Sequence, residues 1–396
     1  MTRVQVRPEL IQWACDRAGS NVAALAERFP KLAEWLRNDT QPTFKQLENF
    51  AKATHVPFGY FFLAKPPDEP VPIPDLRTVG STRVSRPSAN MLDTIYTCQQ
   101  RQDWYRQYAQ LMGEEPLAFV GSVRTDANVI NAAASIRAAL GLDAPLGSAA
   151  KSAADAFRLL LDRADELGVM VMVSGIVGNN TRRPLDPDEF RGFALVDPLA
   201  PLIFVNGADT QAARLFTLVH ELAHVWSGQS GVSDVTTAPV PRDGVERWCN
   251  AVAAEVLAPL DDFKTALRPR AELWEETNRL AAIFRVSTLV VLRRMHDAGR
   301  LTRQQHADAY GRESARLSAL MHARKESAQG GGNFYHTANY RLSTRFASAV
   351  IASTWEGRST FTEAFRLLGC RSVKTLDNMA RSIGLANPTA WEGGPG

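Results

Sequence analysis

Five prolines fall between Pro66 and Pro74, in the run KPPDEPVPIP, and no α-helix or central strand can pass through them. The chain must change direction or domain there. A length of 396 residues also exceeds one ordinary core, at roughly 100 to 200 residues per domain. The prolines therefore mark a stiff linker, wrapping onto the longer remainder of the chain.

Before the linker, from Arg7 to about Leu63, apolar residues recur at helical spacing in short pieces, with Thr43 placed to cap TFKQLENFAKAT. After it, helical periodicity runs from about Asn90 to Leu167 and then breaks. VMVMVSGIV, FRGFALVD and PLIFVN are short, rich in β-branched and aromatic residues and bounded by turn formers, so they predict strands of one small sheet. A helix containing LFTLVHELAHVW follows the last strand, and VERWCNAVAAEVLAP predicts a second that stops before Pro259. Helices then return, with a glycine-rich break near residue 330 and a Gly/Pro-rich tail. The pattern predicts an α+β fold, mostly helical with a small sheet. It divides the chain into segments 1–64, 65–89 (linker), 90–265, 266–325 and 326–396.

A net charge of +3 and a pI near 8.7 permit nucleic-acid binding without arguing for it. Cys15, Cys98, Cys249 and Cys370 stand singly, which excludes a cysteine zinc knuckle and fits reduced thiols. The charged N-terminus is neither a signal peptide nor a span, and no run of about 18 apolar residues follows. A cytoplasmic protein with no membrane partner is expected.

Nothing about a hydrophobic core asks for two imidazoles and a carboxylate inside LFTLVHELAHVW. Four residues apart on a helix, His220 and His224 share a face and can direct ring nitrogens at one ion. Glu221 lies about 100° round, beside that ion, where a carboxylate can take the proton of a zinc-bound water. The constellation is suited to amide hydrolysis. Zinc catalysis needs a third protein ligand, and the second helix offers Glu246 and Glu255 on opposite faces. Glu246 shares its face with Asn250 and Ala253, where small residues allow close approach; spacing favours it without deciding.

FTLVHELAH followed by ERWCNAVAAEVLAP resembles the ImmA/IrrE family of metallo-endopeptidases over roughly Val169 to Leu260. The resemblance implies a zincin-like peptidase domain flanked by helical domains, Zn2+ as cofactor, His220, His224 and Glu246 as ligands, and Glu221 as catalytic base. Members cleave helix-turn-helix repressors, which implies a regulatory protein as substrate. The N-terminal segment resembles an Xre/Cro-type helix-turn-helix domain, in which Lys31, Arg37, Asn38 and Lys45 would contact DNA. It departs from that pattern where Phe29 runs almost directly into PKLAEW, shortening the turn, and Glu27, Glu34 and Asp39 interleave the basic residues. A protein-binding or dimerising module is the competing expectation. LAAIFRVSTLVVLRRMHDAGRLT also has a helix-turn-helix rhythm; Arg293, Arg294 and Arg300 could reach phosphate, or the helices could support the peptidase. The alternative overall is a DNA- or protein-binding, antitoxin-like regulator whose metal site is structural or inactive. A homo-oligomer is compatible with either.

Overall fold

The computed structural model describes residues 3–18, 22–75, 87–233, 244–327 and 342–385. The glycine-rich break near residue 330 and the tail after 385 lie outside them. The chain divides into two units, Met1–Pro72 with Val84–Tyr96, and Ile73–Arg83 with Thr97–Gly396.

In the first unit, helices α1 (Pro8–Arg17), α2 (Val22–Arg28), α3 (Leu32–Leu36) and α4 (Phe44–Thr54) precede a 3-10 turn over Phe58–Phe62. Thr43 caps α4 reciprocally: its hydroxyl accepts from Gln46 N at 3.3 Å, and the Gln46 side chain accepts from Thr43 N at 2.9 Å. Leu10, Ile11, Trp35, Leu47, Phe50 and Phe61 fill the core. The buried Arg17 guanidinium binds Glu69 at 2.7 Å, the His55 carbonyl at 2.7 Å and Asp93 at 3.1 Å. Charge thus ties the first part of the proline-rich segment to α1.

In the second unit the proline-rich segment meets a sheet. Helix α5 (Ala89–Met112), whose residues to Tyr96 belong to the first unit, is followed by α6 (Val129–Ala139), α7 (Leu146–Ala149) and α8 (Ala153–Leu167), which lead to strands β1 (Met170–Ser174), β2 (Gly192–Leu195) and β3 (Leu202–Asn206). Helix α9 (Gln211–Ser227) and strand β4 (Gly231–Ser233) follow, giving a four-stranded sheet in the order β1-β3-β2-β4. β1 and β3 are parallel, whereas β2 runs antiparallel to β3 and β4 and sets Phe193 opposite both Phe204 and Val232. Beyond β4, Val232 N donates to Pro74 O at 2.9 Å, so the linker's end lies along the outer edge.

Val171, Val173, Ala194, Ile203 and Val205 share a core with Leu215, Leu218 and Val219 of α9. Met170, Met172, Phe193 and Phe204 are equally buried, with Phe193 stacked on Phe204 at 5.1 Å. A sheet covered on both faces needs apolar residues at every position, which is why these strands read as unbroken apolar runs.

Helices α10 (Gly244–Leu257), α11 (Leu260–Ala266), α12 (Leu273–Phe284), α13 (Thr288–Asp297) and α14 (Arg303–Ser327) follow. α10 packs against both α9 and α6. The turn between α12 and α13 is made by Arg285 in a left-handed conformation, φ 57°, before Ser287 caps α13. The helix-turn-helix rhythm is therefore real, but Val291, Leu292 and Met295 are buried in the same core as α9. Arg294 does not reach for phosphate either: it is buried and binds Glu255 of α10 at 2.7 Å. Segment 266–325 supports the sheet and α9 from within their own unit.

The described residues after 341 join that unit as α15 (Thr344–Trp355), α16 (Phe361–Leu368) and α17 (Val373–Ser382). Asp165 of α8 accepts from Ser343 Oγ at 2.5 Å and from the N–H groups of Thr344 and Arg345 at 2.7 and 3.2 Å. A carboxylate at a helix start satisfies donors that have no intrahelical partner and meets the positive end of the dipole. No helix among the described residues is long and apolar enough to cross a membrane, and the four cysteines are unbridged and buried.

Candidate metal centre

Thr210 starts α9 by accepting from Ala213 N at 3.3 Å, and Gly228 ends it at φ 75°. Between these caps, apolar residues at helical spacing hold α9 against the sheet and fix the direction of its remaining face. His220 and His224 lie one turn apart on it, with ring centroids 4.9 Å apart. α10 brings Glu246 across. His224 Nε2 sits 3.1 Å from His220 Nε2 and 3.1 Å from Glu246 Oε1, and His220 Nε2 sits 3.3 Å from Glu246 Oε2.

These separations test whether the residues fit a metal. Nitrogen and oxygen ligands about 2.0–2.1 Å from a tetrahedral zinc lie roughly 3.3 Å from one another, close to the spacing seen. Two imidazoles and one carboxylate also leave a fourth position open, the arrangement of catalytic rather than closed structural zinc sites. His220, His224 and Glu246 form the one such triad of potential ligands among the described residues.

Electrostatics agrees with the geometry. Burial works to raise the Glu246 pKa, yet His220 and His224 bring it down to about 2, so the carboxylate is ionised. Burial pulls His220 down, but the charge and hydrogen bond of Glu246, with Glu221 and Asn250, raise it on balance. His224 is lowered, by burial first and by His220. Glu246 and His224 are thus held in the deprotonated forms that metal binding requires, whereas His220, raised by Glu246, would release its proton as an ion binds.

Glu221 is fully buried beside His220, where β2 approaches. A Cβ on Gly192 would stand 2.9 Å from Glu221 Oε1, 2.6 Å from Thr217 Cγ2 and 2.9 Å from Phe204 O. Two of these neighbours are a tightly packed side chain and backbone, so the glycine makes the space in which the carboxylate sits. Under the zinc peptidase reading proposed below, Gly192→Ala is expected to leave metal content unchanged and to cut proteolysis about 100-fold through misplacement of Glu221. Wild-type turnover in that variant would contradict the assignment.

The structure also separates the two glutamates that spacing left open. Glu255 faces away from the histidines, binds Arg294 at 2.7 Å and accepts from Leu260 N at 3.2 Å. Glu246 alone joins His220 and His224. Sequence reasoning overlooked Gly192, for which an isolated glycine in the apolar run FRGFALVD was the available signal. It treated Asn250 only as a small residue. Trp226 of α9 stacks on Phe119 at 4.3 Å, and Trp248 of α10 donates from Nε1 to Ala127 O at 3.0 Å, so both pack into the core that holds the two helices.

The proposed DNA contacts sit elsewhere, in the first unit. Lys31 precedes α3, a helix of only five residues. Arg37 pairs with Asp39 at 2.7 Å, and Asn38 Oδ1 accepts from Gln41 at 2.5 Å. Lys45 pairs with Glu48 at 2.8 Å, and Lys52 meets the same carboxylate at 2.6 Å. Three of the four candidates are thus engaged by neighbours in the chain.

Fold and site together define a metallopeptidase-like domain, in which a helix with paired histidines packs on a small mixed sheet. Residues 164–296, a third of the chain, match the profile of the IrrE N-terminal-like domain (Peptidase_M78), and that span contains β1 to β4, α9 and α10. Residues 342–382, the α15–α17 segment, match a domain of unknown function (DUF8813). No curated protein matches the chain.

Proposed function

We propose that this protein is a zinc-dependent endopeptidase that cleaves a regulatory protein. The observation that carries the proposal is the convergence of His220, His224 and Glu246 with Glu221 on the adjoining helical position. The three would hold the ion through two Nε2 atoms and a carboxylate oxygen. When bound, zinc polarises a scissile carbonyl and brings the pKa of a coordinated water to about 7.

The remaining chemistry belongs to the chain. Glu221 accepts the proton of the attacking water and returns it to the leaving amine, a general base that becomes a general acid. Its burial, with Gly192 on one side and the α9 core on the other, strengthens every charge interaction made there. The N-terminal helical unit is proposed to recognise a partner, protein or DNA; Asp39 and Glu48 beside Arg37 and Lys45 reduce the positive charge it would offer to phosphate. The IrrE-like similarity makes a helix-turn-helix repressor the first substrate to try.

The test uses denatured casein as a generic probe with the full zinc-loaded chain. Cleavage abolished by 1,10-phenanthroline and restored by added zinc supports the proposal. Cleavage indifferent to the chelator would overturn the metal mechanism. A zinc-loaded chain that cleaves neither casein nor helix-turn-helix repressors would favour the regulator whose metal site is structural.

A further inference from the structure

Three polar side chains of α10 have different partners: Glu246, Asn250 and Glu255. Glu246 meets the histidine Nε2 atoms, and Glu255 is consumed by Arg294 and Leu260 N. Asn250 remains. It lies one helical turn after Glu246, on the same face, and its Oδ1 is 3.0 Å from His220 Nδ1.

We infer that Asn250 is a positioning residue for the metal centre, holding His220 in the tautomer and ring orientation that present Nε2 to the ion. The inference rests on the peptidase function proposed above. A neutral imidazole has one N–H and one lone pair, and the partner of one nitrogen decides which atom carries which. An amide oxygen accepts and cannot donate, so contact with Asn250 Oδ1 places the hydrogen on Nδ1. The lone pair then falls on Nε2, the atom that faces His224 Nε2 and Glu246 Oε2. The bond also restrains rotation of the ring about its Cβ–Cγ axis from the side away from Glu246 and His224.

The choice of an amide rather than a carboxylate follows from the charges already present. Glu221 and Glu246 are both buried here, and together they balance a divalent ion. A third buried carboxylate would leave net negative charge in a region of low dielectric, at a desolvation cost. Asn250 supplies the acceptor without that charge. One helix thus delivers a ligand and, a turn later, the group that orients a ligand on the neighbouring helix.

The experiment measures zinc Kd of the full chain by competition with a chromophoric chelator, beside the melting temperature of each metal-free form. Asn250→Leu keeps the approximate volume but removes the acceptor, and is expected to weaken zinc binding about 10- to 100-fold, as loss of such outer partners does. Asn250→Asp retains an acceptor, so its zinc affinity is expected to stay within the order of magnitude of the wild type, while the cost of its buried charge appears as a lower melting temperature of the metal-free form. A purely structural role would move melting temperature and affinity together in both variants. Zinc binding by Asn250→Leu as tight as wild type, or equal weakening by the Leu and Asp variants, would overturn the inference. A wild-type chain that takes up no zinc would overturn the peptidase proposal itself, and so the two failures are distinguishable.

Discussion

Glu221→Gln is expected to bind zinc as the wild type does and to lose roughly 100- to 10,000-fold in peptide cleavage, the range general base catalysis contributes. Glutamine fills the same volume and keeps a hydrogen-bonding end, so the packing against Gly192 and Thr217 survives. What it lacks is a group that can take a proton near neutral pH. His224→Ala, by contrast, removes one of three converging ligand atoms and is expected to lose metal and cleavage together. The pair of variants separates the proton carrier from the ion's holders. The readout is turnover of a protein substrate with zinc content measured on the same preparations. Retained turnover in Glu221→Gln would leave the carboxylate without its proposed task.

Arg294→Ala is expected to lower the stability of the second unit by about 3–5 kcal/mol, because it leaves Glu255 charged and buried without its partner. Burial lowers the Arg294 pKa, and Glu255 and Asp297 counter that effect. Replacing both members, Arg294→Met with Glu255→Leu, removes the two desolvated charges at once and is expected to recover most of the loss. Arg293→Ala is the control. Its guanidinium is 47% exposed and pairs with Asp297 on the same helix, a contact worth well under 1 kcal/mol. Urea unfolding of the four proteins reads the effect directly. Equal stability of the Arg293 and Arg294 variants would mean that α13 is not clamped to α10 through this pair.

The same residues show what a linear sequence can disclose. His220, Glu221 and His224 are legible because polar groups at helical spacing inside an apolar run have few uses, and because helix geometry fixes their common face. β1, β2 and β3 are legible because a sheet buried on both faces demands uninterrupted β-branched and aromatic residues. Thr43 announces α4 through a cap whose partners lie three residues apart.

What escaped depends on partners far away in the chain. Gly231–Ser233 carries no strand pattern; it is a strand because the edge of β2 and the Pro74 carbonyl accept its backbone. Glu255 rivalled Glu246 by composition, and only Arg294, 39 positions on, accounts for it. The role of Gly192 depends on a carboxylate 29 residues later, which no local rule connects to it. Asp165, in an amphipathic stretch of α8, receives the start of α15 across 178 residues. Local periodicity specifies elements and faces, whereas the contacts between elements set which polar residues do chemistry and which hold the fold together.

The most direct measurement is the zinc content of the natively purified chain by mass spectrometry, beside Glu246→Ala. The account predicts about one zinc per wild-type chain and a sharp reduction in the variant, since His220 and His224 alone leave the ion one protein ligand short. Little metal in the wild type even after zinc is supplied, or equal zinc in both proteins, would contradict it.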